Sequence, residues 1–237
     1  MFTRKKTLAP DFPDTVRRIN YLIGKLKLKS YLEIGLGNGG TYANVEAANK
    51  VGVDPTPWNQ GVRDFAGVHI ATSDEYFARH WDDGTKFDLI LLDGLHTFEQ
   101  TYRDFVNSLH FAHRRTIWLI DDVMPNDKYS AIPDGAEALA RRKAETGSDY
   151  PAWHGDVYKI VWMIHAAHPD MTLRSFWQTQ PQSLVYFSTG VTAKAQGLTP
   201  AQIANLTYED TISRRADYNV GEEKDILKEC VAALKQR

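Results

Sequence analysis

Two short groups of acidic and imidazole side chains could do metal and acid–base chemistry. The segment Asp93-Gly94-Leu95-His96 places a carboxylate three positions before a histidine, and Asp121-Asp122 supplies two more carboxylates. Three acids brought close together repel one another unless a cation lies between them, and oxygen donors suit Mg²⁺, Mn²⁺ or Ca²⁺ better than zinc. A histidine titrates near neutrality and can take a proton from a hydroxyl group. The sequence therefore predicts a divalent-cation site at Asp93, Asp121 and Asp122. His96 is the predicted general base, although each of these residues also has an ordinary structural explanation when taken singly.

A glycine-rich turn, Glu33-Ile34-Gly35-Leu36-Gly37-Asn38-Gly39-Gly40, could bind a nucleotide-containing cofactor. Glycines let the backbone approach a ligand closely, and the following helix offers free amide groups. The spacing also fits the dinucleotide fingerprint G-x-G-x-x-G, and such a turn can simply make a tight bend. Glu33 would repel a pyrophosphate but attract a cationic amino-acid group. Asp54 lies 17 positions after Gly37 and suits a ribose diol, although Asp-Pro is also a common strand end.

The elements that must position these residues are apolar strands alternating with amphipathic helices. Strands that are apolar on both faces and separated by helices predict a doubly wound, mostly parallel α/β sheet. The connection 178–182 is too short for a crossover helix, so the last strand is predicted to be antiparallel. The strands ending at Asp93 and Asp121 are then neighbours whose carboxyl ends open onto the ligand crevice. The seven predicted strands are 30–34, 50–53, 67–71, 87–92, 116–120, 171–177 and 183–188, and the main predicted helices are 15–26, 41–49, 73–81, 98–109, 136–144 and 157–165.

Composition narrows the class of protein. The 28 basic and 30 acidic side chains give a formal charge of −2, which offers no broad attraction for nucleic acid or an anionic membrane surface. One cysteine, Cys230, cannot form an internal disulfide, and no stretch approaches the ~20 apolar residues that cross a bilayer. We expect a cytoplasmic protein with one domain over 1–237. It would consist of a helical lead-in (1–29), a cofactor-binding core (30–190) and a helical C-terminal extension (191–237).

In its glycine-rich turn and in Asp54, the acid at the end of the second strand, the sequence resembles the class I S-adenosylmethionine-dependent methyltransferases. These enzymes have a Rossmann-like fold. The resemblance implies that Glu33, Gly35 and Gly37 hold the methionine part of the cofactor. It implies that Asp54 binds the ribose. Ser73 and Asp74 would lie near the adenine, although both residue types are also ordinary helix caps.

The motif Asp93-Gly94-x-His96, followed by Asp121-Asp122, is similar to the type-24 group of these enzymes, which includes metal-dependent sugar O-methyltransferases of the macrolide type. The resemblance covers about 30–190. It implies Mg²⁺ at the three acids and proton removal by His96, and Asp93 is counted in the cofactor site as well. The segment 153–159 also looks shared with this group. Its role is not assigned, beyond an ion pair expected between Asp156 and Lys159.

The favoured hypothesis is metal-assisted O-methylation of a hydroxyl on a small metabolite or sugar. Three alternatives stay open at this point: a metal-independent methyltransferase whose acids shape the acceptor pocket, a nicotinamide-dependent oxidoreductase, and a non-catalytic cofactor-binding module. Glu33 and the antiparallel strand pair disfavour the oxidoreductase. The sequence is compatible with a homo-oligomer.

Overall fold

An eight-stranded sheet forms the centre of the computed structural model, which describes residues 13–188 and 197–236. Predicted features before residue 13 and at 189–196 lie outside these ranges. The strand order is β3-β2-β1-β4-β5-β7-β6-β8. The strands are β1 (Ser30–Ile34), β2 (Asn49–Val53), β3 (Val68–His69), β4 (Leu89–Leu92), β5 (Ile117–Ile120), β6 (Met171–Phe176), β7 (Gln182–Phe187) and β8 (Val220–Gly221).

Helices cover both faces of the sheet. Those in the described residues are α1 (Pro13–Leu26), α2 (Gly40–Asn44), α3 (Ser73–His80), α4 (Phe98–His110), α5 (Gly135–Thr146), α6 (Ile160–Ala167), α7 (Pro200–Ala204), α8 (Tyr208–Ser213) and α9 (Glu223–Lys235). None of the helices in the described ranges is both long and apolar enough to cross a membrane.

The directions of the strands confirm the predicted mostly parallel α/β fold. β3, β2, β1, β4 and β5 pair in parallel, and β7 is antiparallel to both β5 and β6. The predicted count of seven strands is one short for the described residues, because β8 adds a two-residue strand beside β6. So short a strand has no periodicity that a sequence could reveal.

The central strands are apolar on both faces because both faces are buried. In β4, Leu89 and Leu91 belong to the core that packs against α1 and α9, whereas Ile90 and Leu92 belong to the core beneath α4 and α6. All four are at most 2% exposed. Each such side chain stabilises the fold by about 2 kcal/mol through removal from water. The strand is therefore anchored from both sides up to its last residue.

Strand register places the acidic segments side by side. Leu92 at the end of β4 is aligned with Ile120 at the end of β5, so Asp93 and Asp121 both follow directly at the same edge. The amide of Asp121 also donates to the Leu92 carbonyl at 3.0 Å, which extends the pairing by one step. The predicted adjacency of the two strand ends is therefore present.

Two helix boundaries differ from the sequence prediction by three residues or more. The helix expected over 41–49 ends at Asn44, because the Lys50 ammonium donates to the carbonyls of Tyr42 and Val45 and satisfies groups that a longer helix would use itself. The helix expected over 157–165 begins as a 3₁₀ turn over Val157–Lys159 before α6 starts.

Candidate active site

The glycine turn after β1 lies directly against the strand end that carries Asp93. Gly35 has φ +87, and a Cβ added there would lie 1.8 Å from the Asp93 carbonyl oxygen. Only glycine fits this approach and this backbone conformation. Gly37 has φ +51, and its nearest neighbour is the ring of Trp58, 3.7 Å from a hypothetical Cβ. The turn therefore links the predicted cofactor site to the predicted cation site.

Asp54 is bonded to the glycine turn. Its Oδ2 accepts hydrogen bonds from the amides of Leu36 at 2.9 Å and Gly37 at 3.2 Å, and its Oδ1 accepts from the amide of Thr56. A carboxylate oxygen has further lone pairs, so these bonds leave room for a ribose hydroxyl. The carboxylate holds the turn in shape, and its ribose role stays a prediction.

Glu33 is buried at the base of the turn, only 1% exposed. The hydroxyl of Tyr31 donates to its Oε2 at 2.6 Å. Burial, with the negative charge of Glu33 beside it, raises the pKa of Tyr31 well above its ordinary value. The tyrosine therefore stays protonated and keeps the Glu33 side chain oriented.

Ser73 and Asp74 follow β3 as expected, but each has partners within the protein. Thr72, one residue earlier, caps α3. Ser73 Oγ accepts from Gln100 at 3.2 Å, and Asp74 forms a 2.9 Å ion pair with Arg103. Their proposed place near an adenine stays a prediction.

Asp93, His96 and Asp122 converge on one point at the carboxyl edge of the sheet. Each contributes one ligand atom, and these atoms all lie within 4.8 Å of one another. His96 Nε2 lies 3.0 Å from Asp122 Oδ2 and 3.8 Å from Asp93 Oδ1. Donor atoms about 2.1 Å from an octahedral ion are themselves separated by about 3 to 4.2 Å. The carboxylates of Asp93 and Asp122 are therefore close enough to share a divalent cation, with His96 Nε2 beside it.

The ring of His96 is fixed from the opposite side. Its Nδ1 lies 3.1 Å from the Trp153 carbonyl oxygen. Because a carbonyl only accepts, Nδ1 carries the hydrogen and the neutral ring presents a lone pair at Nε2. Burial is the main cause that lowers the His96 pKa, which favours this neutral form. The lone pair lies only 3.0 Å from a carboxylate oxygen of Asp122, and positive charge near these two atoms relieves their repulsion.

Asp121 is oriented differently from the other two acids. Its Oδ2 accepts a 2.9 Å hydrogen bond from Gln182 Nε2, and its Oδ1 accepts one from the amide of Asp122. Burial raises the pKa of both acids, and for Asp122 the negative charge of Asp121 adds to the rise. Positive charge at this point is therefore favoured. Asp121 as a third cation ligand stays a prediction.

The segment 153–159, whose role the sequence left unassigned, surrounds the start of α4. Gly155 has φ +59, and a Cβ there would lie 1.6 Å from the His96 carbonyl oxygen. Asp156 Oδ1 accepts from the Phe98 amide at 2.7 Å, and its Oδ2 forms the expected ion pair with Lys159 at 3.0 Å. The segment therefore fixes the backbone that carries His96.

His154 is a site residue that the sequence reasoning missed. Its Nε2 lies 4.0 Å from Asp122 Oδ1. Its Nδ1 is buried without a hydrogen-bond partner among the described residues. Burial lowers the pKa of His154 to about 4. The only signal in the sequence was its place in the segment that looked shared with the type-24 group.

One family model matches part of the sequence. Residues 32–123 match the family model of the type-24 methyltransferases, described as a methyltransferase domain. This range contains the glycine turn, Asp54, Asp93, His96 and the Asp121-Asp122 pair. The predicted resemblance to this group and the predicted enzyme class, a methyltransferase, are thereby confirmed. No curated protein matches the sequence.

Solved structures share the fold at low sequence identity. A Klebsiella pneumoniae protein assigned as an O-methyltransferase has a TM-score of 0.53 at 16% identity, over 78% of this chain and 83% of its own. The plantazolicin methyltransferase BpumL, in complex with S-adenosylhomocysteine, has a TM-score of 0.51 at 13% identity, over 74% and 85%. The O-methyltransferase TomG from Streptomyces achromogenes, involved in tomaymycin synthesis and in complex with S-adenosylmethionine, has a TM-score of 0.50 at 15% identity, over 76% and 82%.

Proposed function

We propose that this chain, whose residues 32–123 match the family model of the type-24 methyltransferases, transfers a methyl group from S-adenosylmethionine to a hydroxyl group of a small metabolite or sugar. A divalent cation assists the transfer. One observation carries the proposal. The glycine turn touches the backbone of Asp93, and the Asp93 side chain belongs to the cluster with His96 and Asp122. A donor in the turn and an acceptor at the cluster would therefore meet.

The residues of the turn would bind the donor. S-adenosylmethionine supplies a methyl group on a positively charged sulfur. The buried Glu33 carboxylate at the base of the turn suits the cationic end of such a molecule. Asp54 already fixes the amides of Leu36 and Gly37, so the turn does not need to reorganise when the ribose binds. This preorganisation lowers the entropy cost of binding.

Asp93 and Asp122 would hold the cation, with Asp121 beside them. When bound, Mg²⁺ or a similar ion supplies Lewis-acid chemistry that lowers the pKa of a nearby hydroxyl group. The two carboxylates converge from neighbouring strand ends, which fixes where the acceptor oxygen can lie. Alignment of that oxygen with the methyl carbon is the main contribution that such a site can make to the rate.

His96 Nε2 would take the proton from the acceptor hydroxyl. The hydrogen bond to Trp153 directs Nε2 into the cluster, and the lowered pKa keeps this nitrogen unprotonated near neutral pH. The cluster of acids and an imidazole suits an alcohol acceptor, because an alcohol must lose a proton as it is methylated.

The test follows a labelled methyl group from S-adenosylmethionine into a panel of sugars, glycosides and phenolic alcohols. We expect turnover that disappears in excess EDTA and returns with Mg²⁺ or Mn²⁺. His96→Ala should lower kcat by about 10²–10⁴-fold, the usual contribution of a general base, while the affinity for S-adenosylhomocysteine changes little.

Full turnover in excess EDTA would remove the cation from the proposal, and an unchanged kcat in His96→Ala would remove the base. As the matched control we choose His113→Ala. His113 bonds to Asp88 at 3.0 Å near the opposite end of β4, so its loss should leave kcat unchanged. Tighter binding of NADH than of S-adenosylhomocysteine would contradict the choice of cofactor.

A further inference from the structure

A buried chain of hydrogen bonds leads from α1 to the proposed cation site. Arg18 on α1 is fully buried, and its Nη1 donates to Gln182 Oε1 at 2.6 Å. Gln182 Nε2 donates in turn to Thr15 Oγ1 at 2.7 Å and to Asp121 Oδ2 at 2.9 Å. Gln182 is itself fully buried at the start of β7. The chain therefore ends on one oxygen of Asp121.

The direction of this chain is fixed. A guanidinium group only donates hydrogen bonds, so the oxygen of the Gln182 amide must face Arg18 and the nitrogen must face Asp121. Arg18 is held by further bonds to the carbonyls of Thr179 and Gln180 and to Glu223 on α9. The Gln182 amide group therefore cannot rotate without leaving buried donors and acceptors unsatisfied.

The other oxygen of Asp121 acts on the neighbouring residue. Asp121 Oδ1 accepts from the Asp122 amide at 2.9 Å, and Asp122 has the left-handed backbone conformation, with φ +60. Such a conformation is uncommon for a residue with a side chain, and it persists where surrounding bonds determine it. In this conformation the Asp122 carboxylate lies beside His96.

Among the described residues, the group whose donor atoms lie within 4.8 Å of one another consists of Asp93, His96 and Asp122 and does not include Asp121. We propose that Asp121 is a positioning residue, which holds Asp122 in the conformation that presents its carboxylate to the cation, and is not itself a ligand. This inference rests on the cation of the proposed function. It differs from the family resemblance, which implies that both acids bind the ion. Gln182 and Arg18 extend the support, so α1 and α9 take part in fixing the site.

The test measures Mn²⁺ affinity by electron paramagnetic resonance, without acceptor and without turnover. Asp122→Asn removes a ligand and should weaken binding by more than about 100-fold, whereas loss of a supporting side chain in Asp121→Asn should weaken it by about 10–100-fold.

The double variant Asp121→Asn/Gln182→Glu exchanges the hydrogen-bonding roles of the two side chains. The carboxylate introduced at position 182 can accept from both Arg18 and the amide nitrogen introduced at position 121. The amide oxygen at position 121 can still accept from the Asp122 backbone.

We expect the double variant to bind Mn²⁺ within about threefold of the wild type, since support without ligation is all that Asp121 provides. A double variant as weak as Asp122→Asn would show that Asp121 is a ligand. Thermal unfolding curves accompany each variant.

A further variant keeps the inference testable if the exchange prevents folding. Gln182→Leu leaves Asp121 without its donor and should weaken Mn²⁺ binding by about 10-fold if the bond is supportive. Unchanged or tighter binding would overturn the inference, because an oxygen freed from Gln182 would then be coordinating the ion. A wild-type chain that binds no Mn²⁺ would also overturn it, whereas methyl transfer measured separately would show whether the proposed activity survives without a cation.

Discussion

Asp104 provides a stability prediction that is independent of any ligand. This acid on α4 is only 2% exposed. Its Oδ1 accepts from Gln100 Nε2 at 3.0 Å, and the Ser73 hydroxyl also bonds to its carboxyl group. Burial is the main cause that raises the pKa of Asp104 from its ordinary 3.8 to about 6, against the opposing effect of these two hydrogen bonds.

The size and sign of the effect follow from this shift. A rise of about two pKa units corresponds to about 3 kcal/mol. The folded protein binds this proton more tightly than the unfolded chain. The contribution of Asp104 to stability is therefore lost as pH rises from 3.8 through about 6, and the full cost of the buried charge is present above that range.

Asp104→Asn removes the charge and keeps the shape. One of the two hydrogen bonds becomes mismatched, which costs about 1 kcal/mol, so we expect a net gain of about 2 kcal/mol near pH 8 and a loss of about 1 kcal/mol near pH 4. Guanidinium chloride unfolding at the two pH values measures both. The same loss of stability at both values would refute the reasoning, because it would mean that the Asp104 charge carries no burial cost.

Three further predictions concern the segment around His96, the α1 arginine and the glycine turn. Gly155→Ala should lower the free energy of unfolding by at least about 2 kcal/mol more than Gly147→Ala. Both glycines have positive φ, but only Gly155 has a backbone oxygen within 2 Å of the new Cβ; equal losses in chemical denaturation would contradict the steric argument. Arg18→Leu should cost about 3–5 kcal/mol, whereas Arg17→Leu, which removes an exposed partner of the same glutamate, should cost less than about 1 kcal/mol. Similar melting temperatures for these two variants would be inconsistent with the buried network. Asp54→Ala should weaken S-adenosylhomocysteine binding about tenfold by calorimetry, through the loss of about 1.4 kcal/mol of turn support, and unchanged affinity would count against that role.

The sheet could be predicted from the sequence because its main strands are short, continuous runs of apolar residues. β1 begins and ends where the apolar run 30–34 predicted, and β4 and β5 are continuous runs of buried residues. Boundaries shifted where a distant side chain decided them. Lys50 donates to the carbonyl of Tyr42 in α2 and to that of Val45 just after it, and the types of residues 45–48 give no sign of these bonds.

The candidate site was only partly predictable for a similar reason. The carboxyl ends of neighbouring parallel strands lie at the same edge of a sheet. The sequence alone could therefore place Asp93 beside the Asp121-Asp122 pair. The contact of His96 with Trp153 joins residues 57 positions apart, and the segment 149–156 has no helix or strand pattern that could place it. The Gln182 bond to Asp121 likewise depends on how α1 packs. Buried polar networks of this kind depend on the tertiary structure and produce no periodic pattern in the sequence.

The most direct test of the central claim is a crystal structure with both Mn²⁺ and S-adenosylhomocysteine. The claim is that the glycine turn and the acidic cluster form one reaction site. Anomalous scattering locates the ion, and we expect it about 2.0–2.3 Å from oxygens of Asp93 and Asp122. The cofactor sulfur should then lie about 5–7 Å from the ion, a span that one acceptor oxygen in near-attack geometry can bridge. An ion bound elsewhere, or a sulfur well beyond that span, would contradict the account.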